Sequence, residues 1–536
     1  MTGRCRLTPI ASCCNGRETP QYGRNPAQTR HDTHPFFRTP HNGRYPTENR
    51  RHPPFSAPPR DPAARRALTA PTAAAPMETA TATTLAERFR AVRALTESLC
   101  EGLETEDYVV QSMADVSPTK WHLAHTTWFW ETFVLVPHAS GAAGGYALHD
   151  PRYPFLFNSY YAQAGPRHCR AQRGYLSRPT VAEVFAYRAH VTQALAAFLD
   201  GFDEQAHRET AETVEIGLHH EQQHQELMLT DLKHVFSVNP LRPAYRDRAP
   251  EATTDPGPVR WRRFEAGVAH VGADGLGETT QARFHFDNEG PRHRQFVEAF
   301  EIADRLVTAG EVAAFVAEGG YARQEWWLSM GWATAQAEGW TGPFYWQPDP
   351  DAPLGWRHAT LAGERPVDPN EPAVHLSYFE ADAVARWMAA SGRHPGARLP
   401  SEFEWDVAAA TADRGAGSFV ESGRLHPAPG RGRPTAPPPL EQTGGDGATA
   451  ATGLPALRQM AGEVWQWTHS QYTPYPGYAA GPGALGEYNG KFMANQFVLR
   501  GASVATSRTH ARATYRNFFP PETTWQFTGL RLARSV

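Results

Sequence analysis

Cysteine is scarce: five in 536 residues, at positions 5, 13, 14, 100 and 169, and none beyond. So few, so unevenly placed, exclude a disulfide framework, and a reducing cytoplasm is the expected setting. Long apolar runs are lacking as well. No stretch approaches the ~20 residues that cross a bilayer, which excludes a helical membrane protein. Nor does one sign of charge dominate, with 52 Lys+Arg against 56 Asp+Glu. That balance offers no general basic face for nucleic acid. What the chain does have is 40% hydrophobic residues, enough for sizeable cores over a length that suggests two to four domains.

Residues 1–76 stand apart, with twelve Arg, no Lys, four acidic residues and thirteen Pro. Their only Leu, Ile or Val residues are Leu7, Ile10 and Leu68. Such a segment cannot offset ~1–2 kcal/mol of backbone entropy per residue by burying apolar surface. It also lacks the apolar run of a secretory signal. We expect a disordered basic leader, or upstream sequence outside the native protein with Met77 the true first residue. A chain starting at Met77 is then expected to keep full activity. A basic arm for nucleic acid is the alternative, and biased composition alone demonstrates no function.

From Met77 the texture changes. Leu85, Phe89, Val92, Leu95 and Leu99 recur at helical spacing within 84–103. A second helix is expected from a Ser117 cap with Pro118 at its first position, running to about Leu135. Thr180 opens a third (181–199), and 209–236 reads as a fourth. Four such helices suggest a bundle with sites built from inward side chains. Residues 240–258 read as a linker. Beyond them come short strands, Gly turns and many Trp, interrupted by one clear helix at 377–391 and a Pro/Gly-rich insertion at 427–452.

The sharpest motif is His219-His220-Glu221-Gln222-Gln223-His224, inside the fourth helix. His220 and His224, four apart, project from one face and can take adjacent positions on one metal ion. Two metal readings follow. In a zinc protease Glu221 is the general base beside a metal-bound water. In a bundle site the third ligand comes from a neighbouring helix, and His125 offers it, sharing a face with Trp121 and Trp128. Ordinary hydrogen bonding of all three histidines is the bland alternative. Three neutral imidazoles and no carboxylate leave a site near +2 with open positions, related to the facial triad of non-haem iron enzymes. Such a metal can hold a thiolate, a second substrate nitrogen and dioxygen together.

Several strings resemble a known family. SPTKWHLAHTTWFWETFVL (117–135), FLFNSYY (155–161), RGYLSRPTVAEVFAYR (173–188) and HHEQQHQELMLTDLKH (219–234) are similar to the DinB-like bundle of ergothioneine-biosynthesis sulfoxide synthases. WMAASGRHPGARLPSEFEWDVAAA (387–410), GEVWQWTHSQY (462–472), LRGASVATSRTHARATYRNFF (499–519) and TGLRLA (528–533) resemble the formylglycine-generating-enzyme-like domain that follows it. The resemblance implies an α+β chain: a four-helix bundle over 80–240, then a C-type-lectin-like mixed domain with little regular structure over 258–536. It also implies Fe(II), with O2 as co-substrate, joining a thiol sulfur to the imidazole of hercynine. The ligands carry over as His125, His220 and His224. Gln223 and Asn517 carry over as contacts to the hercynine imidazole, from the two domains. Phe518 and Phe519 would line the pocket, their faces able to hold a trimethylammonium; packing in the second domain's core is the alternative.

Tyr160 and Tyr161 match the tyrosine pair of the branch that uses free cysteine, one of them able to deliver a proton. Arg170 and Arg173 are candidate clamps for the thiol substrate's carboxylate, with a solvated surface as the other fate. His122, His219 and His234 match no ligand. Trp465 and Trp467 are expected in the second core. Formylglycine-generating enzymes proper bind copper with a cysteine pair near the C-terminus, and no Cys follows 169, which excludes that activity.

The leading expectation is a sulfoxide synthase acting on hercynine and cysteine or γ-glutamylcysteine. A selenoneine synthase using a selenosugar and an ovothiol-type synthase using histidine are close alternatives. The zinc protease and a metal-free binding bundle are the alternatives from other classes. Partners implied are small molecules, a histidine methyltransferase and a PLP-dependent C–S lyase, with no nucleic acid and no membrane.

Overall fold

The first helix, α1 (Leu85–Ser98), starts where its sequence says it should. The Thr84 side chain accepts from Glu87 N and the Glu87 carboxylate from Thr84 N, so two orphan donors are satisfied at once. The computed structural model describes residues 84–139, 145–248, 254–274, 284–429, 455–481, 483, 486 and 488–536. The leader over 1–76 and most of the insertion over 427–452 lie outside them.

The other bundle helices are α2 (Thr119–Trp130), α3 (Val181–Asp200) and α4 (Arg208–Val238). Thr180 and Glu183 form the same box at α3. At α2 the expected Ser117 cap is replaced by Pro118 in the capping position. Ser117 is used elsewhere: its N–H donates to Asp231 at 2.8 Å and its Oγ accepts from Arg173 at 2.9 Å. The helical run reaches the expected end and passes it by four residues, to Ala139, through a π turn at Glu131–Leu135. There the buried Glu131 carboxylate accepts from the hydroxyls of Tyr146 and Tyr187, both at 2.6 Å. The bundle core is apolar and aromatic, with Phe89, Trp128, Tyr187, Val191 and Leu229 fully buried.

The second half holds two four-stranded sheets. One orders Trp261–Phe264, Phe300–Ala303, Ala533–Ser535 and Ala397–Arg398. The other orders Asn517–Phe519, Phe497–Gly501, Trp465–Gln471 and Thr528–Gly529, with only the last pair parallel. The expectation of a single helix here needs correction. Besides α7 (Tyr378–Ala390) there are α5 (Ala309–Ala317), α6 (Ser329–Glu338) and α8 (Glu402–Ala409). They are short, so periodicity is weak. Yet α5 and α8 carry the same box as α7: Thr308 with Glu311, Ser401 with Glu404, Ser377 with Glu380.

Thr79–Val536 forms one unit, so the two halves share a body. The joint is α4. Glu226 on it is buried and accepts from Trp465 Nε1 (2.8 Å), Ser503 Oγ (2.5 Å) and Thr506 Oγ1 (2.7 Å). Trp467 is core, as expected, its Nε1 on Leu376 O. Trp465 does more, since its indole N–H reaches across to the bundle.

Candidate metal centre

Over 219–226 every residue of α4 is polar, and each side of this run has its own partner. At about 100° per residue, the run 219–226 points in three directions. His220 and His224 face α2; Glu221 and Gln225 face α1; His219, Gln222, Gln223 and Glu226 face the second half.

His125, His220 and His224 each offer a ring nitrogen within 4.8 Å of the others. The hydrogen bonds say which nitrogens are bare. His125 Nδ1 lies 2.5 Å from the Phe157 carbonyl, which can only accept, so the proton sits on Nδ1 and Nε2 keeps its lone pair. His122 Nε2 lies 3.0 Å from the Asp231 carboxylate, and its Nδ1 lies 2.9 Å from His224 Nδ1. A proton on His122 Nε2 makes His122 Nδ1 the acceptor for His224 Nδ1–H. His224 Nε2 is then bare as well. His220 directs Nε2 to 3.1 Å from His125 Nε2, while its buried Nδ1 has no hydrogen-bond partner. Burial lowers His220 to about 3 and holds His125 and His224 well below the ordinary value, so all three are neutral. Three neutral imidazoles whose ring nitrogens converge on one space, with lone pairs assigned there on His125 and His224, fit a cation that binds nitrogen.

The rings are held stiffly. Trp121 stacks on His125 at 4.7 Å and 11°, and the Arg173 guanidinium lies 3.3 Å from the Trp121 ring centroid. Phe129 covers His220 at 4.6 Å. His122, read from sequence as bland, is held by Asp231 and in turn orients His224, a partner of the kind that fixes ligand tautomers. His219 and His234 face elsewhere, toward His510 and Ser112.

Glu221 points away from this space. Its carboxylate pairs with Arg93 at 3.0 Å and Arg188 at 2.7 Å, and accepts from Thr96 and Trp130. Burial opposes ionisation there, but the two guanidiniums win and hold the carboxyl well below its usual range. A carboxylate so occupied cannot serve as the base of a zinc protease.

The predicted substrate residues divide. Tyr161 is buried beside the centre, its ring 6.5 Å from His220 and 5.6 Å from Trp128. Tyr160 is half-buried and faces the second half: its hydroxyl accepts from Arg170 at 2.8 Å and its ring meets Phe492 at 5.3 Å. Gln223 sits between two tyrosines that sequence reasoning missed, Tyr515, which accepts from Nε2, and Tyr488, which donates to Oε1. The Tyr488 ring lies 5.9 Å from His220, so residues of both halves border the centre.

Phe518 stacks on Tyr472 at 4.1 Å and approaches Phe492, while Phe519 packs into the second core. Asn517 accepts from Phe518 N, and among the described residues no hydrogen bond joins it to the histidines. Neither arginine is simply solvated: Arg170 is half-buried on Tyr160, and Arg173 is buried under Trp121, where burial lowers it to about 9.

Residues 88–228 match the DinB superfamily, and residues 263–536 match the sulfatase-modifying factor enzyme 1-like domain. A bundle of this kind is joined to that domain with a nitrogen-lined centre at the joint, and relatives that align with most of the chain are named as enzymes of the oxygenase class. Hercynine oxygenase of Mycolicibacterium thermoresistibile is 33% identical over 439 residues, 78% of this chain and 88% of that protein. Hercynine oxygenase of Mycobacterium tuberculosis is 30% identical over 78% of this chain and 92% of its own. The chain belongs to the hercynine oxygenase family. Formylglycine-generating enzyme of Streptomyces coelicolor is 26% identical and spans 54% of the chain. Among the described residues no helix is long and apolar enough to cross a membrane.

Proposed function

We propose that the protein is a non-haem Fe(II), O2-dependent sulfoxide synthase of ergothioneine biosynthesis, joining the sulfur of cysteine or γ-glutamylcysteine to the imidazole of hercynine. The observation that supports this best is the pair of bare Nε2 atoms on His125 and His224, completed by His220, beside Tyr161. Iron held there supplies the one-electron and O2 chemistry that no side chain can provide. The chain's own residues do the rest. Phe157 O and the His122–Asp231 pair keep the ligand tautomers that leave Nε2 free. Gln223 presents its amide to the hercynine imidazole, held in orientation by Tyr488 and Tyr515. Phe492 and Phe518 offer π-faces to the trimethylammonium. Tyr161 holds a phenolic proton next to His220, where a general acid is needed, whereas Tyr160 fixes Arg170 for the carboxylate of the thiol. A histidine methyltransferase supplies hercynine, and a PLP-dependent C–S lyase consumes the sulfoxide.

Oxygen uptake by the Fe(II)-loaded protein with hercynine and each thiol, products read by mass, tests the reading. A hercynine–cysteine sulfoxide adduct is expected. Turnover only with a selenosugar changes the donor and keeps the centre; no turnover with any donor overturns the proposal.

A further inference from the structure

A second donor group lies in the other half of the molecule. His358 comes from the strand Trp356–Thr360, Glu371 from the loop after Gly363–Pro366, and His426 from the loop after the turn Val420–Ser422. Each offers a ligand atom within 4.8 Å of the others. They are 3%, 6% and 3% exposed, so water is nearly excluded.

As a hydrogen-bonded cluster this group is incomplete. His426 Nε2 donates to Glu371 Oε2 at 2.8 Å, but its buried Nδ1 has no partner. Neither ring nitrogen of His358 makes a hydrogen bond among the described residues; its Nε2 stands 3.6 Å from Glu371 Oε1, too far to donate well. The buried His426 Nδ1 is thus left unsatisfied, and His358 is aimed at a carboxylate without bonding to it. Yet the two spacings, 2.8 and 3.6 Å, bracket the ~3.3 Å between two ligands on one tetrahedral ion with bonds of ~2.0–2.1 Å.

Lys233, Arg248 and Arg365 bring positive charge toward Glu371, yet among the described residues its carboxylate pairs only with His358 and His426. Lys233 of α4, the nearest ammonium, is held by His375 Nε2 at 2.6 Å and by the faces of Tyr345 (4.7 Å) and Phe527 (5.2 Å), not by the carboxylate. The backbone is strained beside the group: Leu425, directly before His426, has φ 51°, a conformation that costs a bulky residue energy and persists only where something else fixes it.

We infer that His358, Glu371 and His426 form a second metal site, a buried one for zinc with three protein ligands and a structural role. Two imidazoles and one carboxylate in a dry pocket suit a borderline divalent ion. The ion takes the place of the proton on His426 Nε2, and that proton moves to Nδ1, so the ring binds as a neutral imidazole. The ion ties a strand and two loops together behind α4, and the iron-binding histidines on the opposite side of the helix take no part.

The full chain is equilibrated with Zn2+, desalted and its metal counted by elemental mass spectrometry, with His220→Ala to remove the first centre and His220→Ala/Glu371→Gln to remove both. The single variant should retain one zinc per chain and the double less than a tenth. Zinc lost from the single variant, or kept by the double, overturns the site. Zinc-edge anomalous diffraction from the unsubstituted protein decides without any variant. A peak between His358 Nε2 and Glu371 is expected, and its absence from zinc-equilibrated crystals is equally fatal.

Discussion

The two donor groups solve the same problem with opposite scaffolds. His125, His220 and His224 stand on α2 and α4, where one turn of helix brings two ligands onto one face and packed aromatics lock the third. His358, Glu371 and His426 come from a strand and two loops spread over 69 positions, and only the folded second half brings them together. The first group is all imidazole and is bordered by Tyr161, Gln223 and Tyr488, groups that can meet a substrate. The second includes a carboxylate and is walled by Lys233, Tyr345 and His375, groups already engaged with one another. A helix-borne site keeps ligand geometry while leaving positions open; a loop-borne site uses the ion to hold the loops.

Substituting the first group breaks this contrast most severely. His220→Ala is expected to abolish iron binding and turnover while leaving thermal unfolding cooperative, because the bundle core does not depend on that ring. Iron bound at unit stoichiometry in this variant, measured after anaerobic reconstitution, would sink the three-histidine centre. Glu221→Gln comes next and acts on stability. It leaves Arg93 and Arg188 buried without their anion, a change that costs about 3–5 kcal/mol in comparable buried pairs. Denaturant unfolding reads the loss, and the molecules still folded should keep iron and turnover. Selective loss of activity with stability intact would return Glu221 to the role of a base.

Legibility in the sequence follows the same contrast. His220 and His224 were readable because a helix repeats every 3.6 residues, and His125 because it sits on an aromatic face of its own helix. Ser/Thr-x-x-Glu boxes mark the starts of α5 and α8 as they mark α7, but periodicity over so few residues singles out only α7. Ser117 misled because a capping residue type can be drawn into tertiary bonds, here with Asp231 and Arg173. The burial of Arg173 followed from a stacking partner, Trp121, that lies 52 positions earlier. Nothing local announced Tyr488, Tyr515 or the group at 358, 371 and 426. Their meaning comes from which strands and loops end up beside α4, and no periodicity encodes that.

The paired tyrosines give a finer test, and the smallest expected effects. Side by side in sequence, they point to different surroundings: Tyr161 to His220 and Trp128, Tyr160 to Phe492 and Arg170. Tyr161→Phe removes a proton source at the centre and should lower kcat by about 10²-fold or more, with little change in the KM for hercynine. Tyr160→Phe removes only an acceptor for Arg170. Its expected effect is a rise of a few-fold in the KM for the thiol, with kcat near that of the unsubstituted protein and iron content unchanged. Product mass belongs in the same measurement, since loss of the proton donor can divert oxygen to oxidation of the thiol alone. Tyr160→Phe carrying the large kcat loss, with Tyr161→Phe near normal, would reverse the assignment and place the proton source on the side that faces the second half.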